Sequence, residues 1–190
     1  MNETIVFFDT EFTGLHKNTT LMSIGLISES GETFYCELVD YDKTYVREEK
    51  DQWLQKNVIN NFLLNEDKYQ QGKLYVEGKD TILRGNNQDL KLHLTNWLEQ
   101  FNNIIIWSDC LHFDWVLFID IFGTAHDVPK NVNYIPRDIC TLFDLMDIDP
   151  DIPREEFADI NPAEAKSKHN ALYDAKVIKK CYEKLISGGK

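Results

Sequence analysis

Two periodicities alternate along this chain. Ile5-Val6-Phe7-Phe8 is a short, wholly apolar run, as expected of a strand buried on both faces. Leu21–Ile27 and Thr33–Leu38 follow as further strands, joined by the turn residues Glu29-Ser30-Gly31-Glu32, so the opening third predicts a three-stranded antiparallel meander. Helical spacing then takes over. Leu54, Val58 and Phe62 recur every fourth residue behind a possible cap at Asp51, and Leu90, Leu94, Trp97, Leu98 and Phe101 mark a clearer amphipathic helix from about Asn87. Between them Gly72, Gly78 and Gly85 bound a loop or small hairpin that contains Leu74-Tyr75-Val76.

Ile104-Ile105-Ile106-Trp107 predicts another buried strand, followed by a helix from about Phe113. A short strand is expected around Tyr134-Ile135, then a helix near Cys140–Met146 and a proline-rich connection over 149–162. The last helix runs from about Asn170 to Leu185, with Ala171, Ala175, Ile178, Tyr182 and Leu185 on one stripe. No repeat, low-complexity tract or linker interrupts this order. Antiparallel strands followed by alternating strands and helices predict a single α/β domain over residues 1–190.

Composition narrows the function. With 43% hydrophobic and 12% aromatic residues the chain can fill a core, which excludes disorder as its main state. No apolar run is long enough to span a bilayer, and Met1-Asn2-Glu3-Thr4 lacks the basic start of a signal peptide, so a cytoplasmic protein without membrane contact is expected. Cys36, Cys110, Cys140 and Cys181 are widely spaced, which predicts buried reduced thiols rather than zinc ligands or a disulfide framework. The 32 acids outweigh 20 Lys and Arg, a net charge of −12, so a protein that coats nucleic acid through phosphate neutralisation is excluded. An acidic protein still handles nucleic acid if its carboxylates hold divalent ions, which reverse the local sign.

Some of those carboxylates stand in informative places. Asp9 and Glu11 are two apart just past a buried strand and point to one face, where they suit a hard cation such as Mg²⁺. A solvated acid pair is the commoner meaning of such spacing. Asp114 opens an apolar helix among Phe113, Trp115, Val116, Leu117 and Phe118, where an unpaired charge is costly and a metal would offset it. The helix dipole accounts for such an acid equally well. Asp174 falls in the first turn or two of the last helix and His169 at its start, within reach of any site the aspartate anchors. An imidazole of ordinary pKa near 6.5 is a suitable general base.

Taken together, Phe8-Asp9-Thr10-Glu11-Phe12-Thr13-Gly14-Leu15, Phe113-Asp114 and His169-Asn170-Ala171-Leu172-Tyr173-Asp174 resemble the three motifs of the DEDDh 3′–5′ exonuclease superfamily. In the sister DEDDy class a tyrosine stands four residues before the last aspartate; here that position is Asn170, and Tyr173 is out of register. Leu21-Met22-Ser23-Ile24-Gly25-Leu26 and Trp53-Leu54-Gln55-Lys56-Asn57-Val58 extend the resemblance to the small exoribonucleases typified by mycobacterial RNase AS and related to phage exodeoxyribonuclease A. The resemblance implies an RNase H-like fold, a mixed sheet with three antiparallel strands followed by parallel ones. It implies that Asp9, Glu11, Asp114 and Asp174 hold two Mg²⁺ or Mn²⁺ ions, roughly 3.5–4 Å apart in such sites, with His169 as the base for in-line attack on the last phosphodiester.

The implied substrate is nucleic acid with a free 3′ end, RNA favoured over DNA, cut to nucleoside 5′-monophosphates. A homodimer is the further partner it suggests. Thr10, Phe12, Leu15 and Phe113 are the expected substrate contacts, with Leu15 as an apolar wedge and the phenylalanines available for base stacking. Core packing is the competing reading for each phenylalanine. Asp109 and Asp120 compete with Asp114 for the second motif, although only Asp114 has the family's aromatic-Asp context; Asp138 and His112 are assigned structural roles. The net charge of +5 over residues 166–190 suggests a basic surface near His169 and Asp174. A DNA exonuclease and a catalytically idle binding protein are the alternatives.

Overall fold

A computed structural model describes residues 3–44, 52–161 and 167–188. Its centre is a seven-stranded sheet built of β1 (Thr4–Phe12), β2 (Leu21–Ser28), β3 (Thr33–Leu38), β4 (Leu74–Glu77), β5 (Asp80–Gly85), β6 (Ile104–Ser108) and β7 (Arg137–Asp138). The order across the sheet is β4-β5-β3-β2-β1-β6-β7. β1, β2 and β3 form the antiparallel meander, and β6 joins β1 in parallel, which is the mixed sheet of an RNase H-like fold. The helices are α1 (Gln52–Asn57), α2 (Asn87–Glu99), α3 (His112–Phe122), α4 (Ile139–Leu145), α5 (Arg154–Phe157) and α6 (Ala171–Ile186).

Alternation along β1 sends its side chains into two cores. Val6 and Phe8 pack with Leu94, Leu98, Phe118 and Phe122 of α2 and α3, whereas Phe7 packs with Phe143, Ala175 and Ile178 of α4 and α6. Burial on both faces explains why the central strands read as continuous apolar runs. No helix among the described residues is long and apolar enough to cross a membrane.

Several expectations need correction. β1 runs on through Asp9 and Glu11 to Phe12, so these acids lie within the strand rather than past it. The strand expected at Tyr134-Ile135 falls instead at Arg137-Asp138, and Tyr134 is 79% exposed. Apolar content misled there, because the edge pairing is made by backbone beside Trp107 and Ser108. The glycine-bounded segment is a hairpin, and its second strand pairs in parallel with β3 to widen the sheet. The helix expected through Phe62 stops at Asn57, and a single 3₁₀ turn follows. Residues 154–157 of the proline-rich connection form a short helix. Asp51 and Pro162 lie outside the described residues. Cys36 and Cys181 are buried thiols, but Cys110 is exposed and Cys140 partly so.

Candidate active site

Asp9 sits opposite Gly25 in the β1–β2 ladder, and this pairing controls what reaches the acid. A Cβ on Gly25 would lie 2.2 Å from the backbone nitrogen of Leu172 and 2.3 Å from its Cα. The missing side chain therefore lets the first turn of α6 rest directly on the sheet, which carries Asp174 to Asp9 and Glu11. Pairing shifts between Glu11 and Phe12, an irregularity of the sort that often re-aims side chains next to a site.

Asp114 arrives from the other face, on the first turn of α3. Its Oδ1 accepts two hydrogen bonds from Thr10, from the backbone nitrogen at 3.0 Å and from the hydroxyl at 2.6 Å. The Thr10 side chain, expected against substrate, is only 5% exposed; it holds Asp114 in place instead.

His169 has a left-handed backbone, with φ of 64°. Its backbone nitrogen donates to Asp174 Oδ2 at 2.8 Å, and its ring Nδ1 lies 3.9 Å from Glu11 Oε1. The Trp53 ring stands edge-on to the imidazole, with centroids 4.9 Å apart. A buried polar network fixes this corner. Asn170 caps α6 by accepting from Tyr173 N at 3.2 Å, and its amide donates to the Tyr35 hydroxyl at 2.8 Å. Tyr35 in turn donates to Glu37 Oε1 at 2.7 Å, while the Asn61 amide donates to the Lys168 carbonyl at 2.7 Å. Sequence reading missed Tyr35, Glu37, Asn61 and Trp53 as parts of the site. A carboxylate, Glu37, two residues from Tyr35 in the fully buried β3 was the available signal.

Electrostatics distinguish this cluster from ordinary surface acids. Burial raises all four carboxyls, and their mutual repulsion adds to it at Asp9 and Glu11. Asp9 is pushed well above its usual value, Glu11 to about 8, Asp174 to about 7 and Asp114 to about 6. The Thr10 bonds to Asp114 and the His169 backbone bond to Asp174 oppose the rise at those two groups. Burial lowers His169, helped by the charge of Lys168, so its imidazole is neutral at pH 7 and free to take a proton.

The cluster lies in a cleft of about 940 Å³ whose walls include Phe12, Leu15, Trp53, Phe113, Arg154 and Lys168. Phe12 and Phe113 stack on each other, with centroids 5.5 Å apart, and Leu15 projects from the rim at 79% exposure. The positive charge expected around the site is sparse among the described residues. Arg154 is bound to Asp109, Lys168 lies 3.8 Å from Glu155, and Lys179 and Lys184 reach backbone carbonyls elsewhere. Asp138 caps α4 and His112 bonds the Cys110 carbonyl, the structural roles assigned to them. Asp120 lies further along α3, in a smaller depression behind Phe113.

A solved structure of the Neurospora crassa Pan2 catalytic unit, comprising protease and nuclease domains, is similar at 15% identity and a TM-score of 0.46. The similarity covers 98% of this chain and 28% of that one. No curated protein matches the sequence significantly. The model of one family, the Rv2179c-like 3′–5′ exoribonuclease domain, matches residues 4–186. The chain belongs to that Rv2179c-like 3′–5′ exoribonuclease family.

Proposed function

We propose that this protein is a metal-dependent 3′–5′ exoribonuclease that trims single-stranded RNA or 3′ overhangs to nucleoside 5′-monophosphates. The observation that carries the proposal is the convergence of four buried or half-buried carboxyls beside a neutral histidine, in an open cleft of a chain from this family. Carboxylates raised this far need positive charge to ionise together at neutral pH. Their oxygens form a hard donor set, so Asp9, Glu11, Asp114 and Asp174 fit Mg²⁺ or Mn²⁺. When bound, such ions activate water and stabilise the charge that develops on the leaving oxygen.

The remaining roles belong to the chain. His169 accepts the proton of the attacking water at the mouth of the cleft, and its backbone bond to Asp174 ties base and ligand together. Thr10 fixes the orientation of Asp114. Leu15 enters beside the terminal base, and the Phe12–Phe113 stack offers an apolar surface to it, a contact tolerant of base identity. A second copy of the chain is the proposed partner.

Matched single-stranded RNA and DNA, labelled at the 5′ end and incubated with Mg²⁺, test this reading. A descending ladder on RNA, blocked by a 3′-phosphate and slower on DNA, is expected. Early release of a short 5′-labelled fragment contradicts the direction, and faster cleavage of DNA contradicts the substrate.

A further inference from the structure

We infer that Cys110 and Cys140 form a thiol–disulfide pair beside the cleft, and that closing the bond lowers nuclease turnover. The second half rests on the function proposed above; the first does not.

The two sulfurs lie 3.4 Å apart, although the residues are thirty positions apart in sequence. Their backbones are held face to face by one carboxylate. Asp138 Oδ2 accepts from Leu111 N at 3.1 Å, and Oδ1 accepts from Cys140 N at 2.8 Å. Cys110 itself is fixed in a left-handed conformation, φ 49°. A disulfide is about 2.05 Å long, so closure asks the sulfurs to approach by roughly 1.3 Å. The other two thiols, Cys36 and Cys181, are fully buried in separate hydrophobic cores.

Asp109, Cys110 and Cys140 also cluster as a metal site would, but their surroundings oppose a cation. Arg154 holds both Asp109 oxygens, Nε at 2.7 Å and Nη2 at 2.9 Å, and Nη2 stands 3.2 Å from Cys140 Sγ. The guanidinium gives Cys140 a positive neighbour, but burial and Asp109, whose Oδ1 accepts from Cys140 Sγ at 3.1 Å, raise both thiols above their usual value, so exchange is slow at neutral pH and faster in mild alkali. Cys110, the exposed thiol, attacks one sulfur of a low-molecular-weight disulfide such as oxidised glutathione. That step forms a mixed disulfide and releases one glutathione, which carries the Cys110 proton. Cys140 then displaces the second glutathione, which leaves with the Cys140 proton. The protein is oxidised by two electrons, the glutathione disulfide is reduced to two thiols, and protons balance.

The consequence follows from position. The Cys110 carbonyl accepts from His112 N at 2.7 Å, and the Leu111 carbonyl accepts from Trp115 N at 2.9 Å. A pull on Cys110 therefore acts on the first turn of α3, where Asp114 meets Thr10. Displacements near 1 Å in an active site cost up to about a hundredfold in rate.

The test treats the reduced full-length protein with oxidised glutathione. Peptide mass mapping is expected to show a Cys110–Cys140 cross-link, two hydrogens lighter than the reduced pair. Cleavage of 3′-ended RNA in Mg²⁺ should fall by roughly ten- to a hundredfold and recover with dithiothreitol. In Cys140→Ser the rate should be the same before and after the oxidant. Glutathione adducts without the cross-link overturn the pair, whether or not the protein cleaves RNA. A complete cross-link with unchanged cleavage overturns the effect on turnover.

Discussion

Each carboxyl of the cluster changes its proton affinity on folding, and the sign of that change has a measurable result. Glu11, Asp174 and Asp114 are raised to about 8, 7 and 6 from ordinary values near 4. The metal-free fold therefore binds more protons than the unfolded chain between about pH 4 and 8, so its stability falls as pH rises through that window. Thermal melts of chelated protein should show Tm decreasing from pH 5 to 8, and Mg²⁺ or Mn²⁺ should restore most at the alkaline end. Glu11→Gln removes part of this slope; a wild-type Tm independent of pH and of metal argues against a repulsive cluster. Thr10 offers a finer probe. Thr10→Val removes the 2.6 Å hydroxyl bond to Asp114, a charge-assisted contact worth about 1.5–3 kcal/mol. Turnover should drop roughly ten- to a hundredfold and Tm should fall by a few degrees, whereas full activity would show that Asp114 needs no such support.

At the scale of elements, the site depends on how α6 meets the sheet. Gly25→Ala places a methyl where Leu172 backbone now lies, and such overpacking costs about 1–3 kcal/mol or more. Denaturant unfolding should show that loss together with near-complete loss of activity, since the displaced helix carries Asp174. Two caps make a controlled comparison. Asn170 and Asn86 both cap helices, each worth about 1 kcal/mol. Asn170→Ala should also lower turnover, because its amide holds the corner that carries His169; Asn86→Ala, in the distant α2, should leave turnover unaltered. Equal activity in both variants would disconnect the Tyr35–Asn170–Asn61 network from the site.

The same elements show what the sequence made legible. β1 was readable because burial on both faces leaves a continuous apolar run, and α2 and α6 because burial of one face imposes a period of 3.6 residues. The candidate cluster of Asp9, Glu11, Asp114, His169 and Asp174 was readable because together these residues match a family's motifs, not because each stands at an element boundary. β7 was not, because two residues of edge pairing leave no hydrophobic pattern. The role of Thr10 and the network through Glu37 were hidden for another reason: they join residues about a hundred positions apart, and local pattern carries no trace of such pairs.

For the whole molecule, the excess of acid and the proposed action on RNA are reconciled at one place. The chain carries −12 overall, few free cations line the cleft among the described residues, and the densest cluster of acids sits where phosphate would have to bind. Bound divalent ions would make that arrangement workable, with the neutral His169 as the proposed base. The most direct test is the rate at which 5′-labelled single-stranded RNA shortens, measured for three proteins with Mg²⁺ and after chelation. Wild type should trim from the 3′ end with Mg²⁺ and stop in excess EDTA, its rate rising with pH through a point below the usual histidine value of 6.5. His169→Ala should lose that limb and roughly 10²–10⁴ in turnover while retaining Mg²⁺-induced stabilisation. Asp174→Asn should lose the stabilisation as well. Undiminished trimming by chelated wild type, or by His169→Ala across neutral pH, would contradict the account.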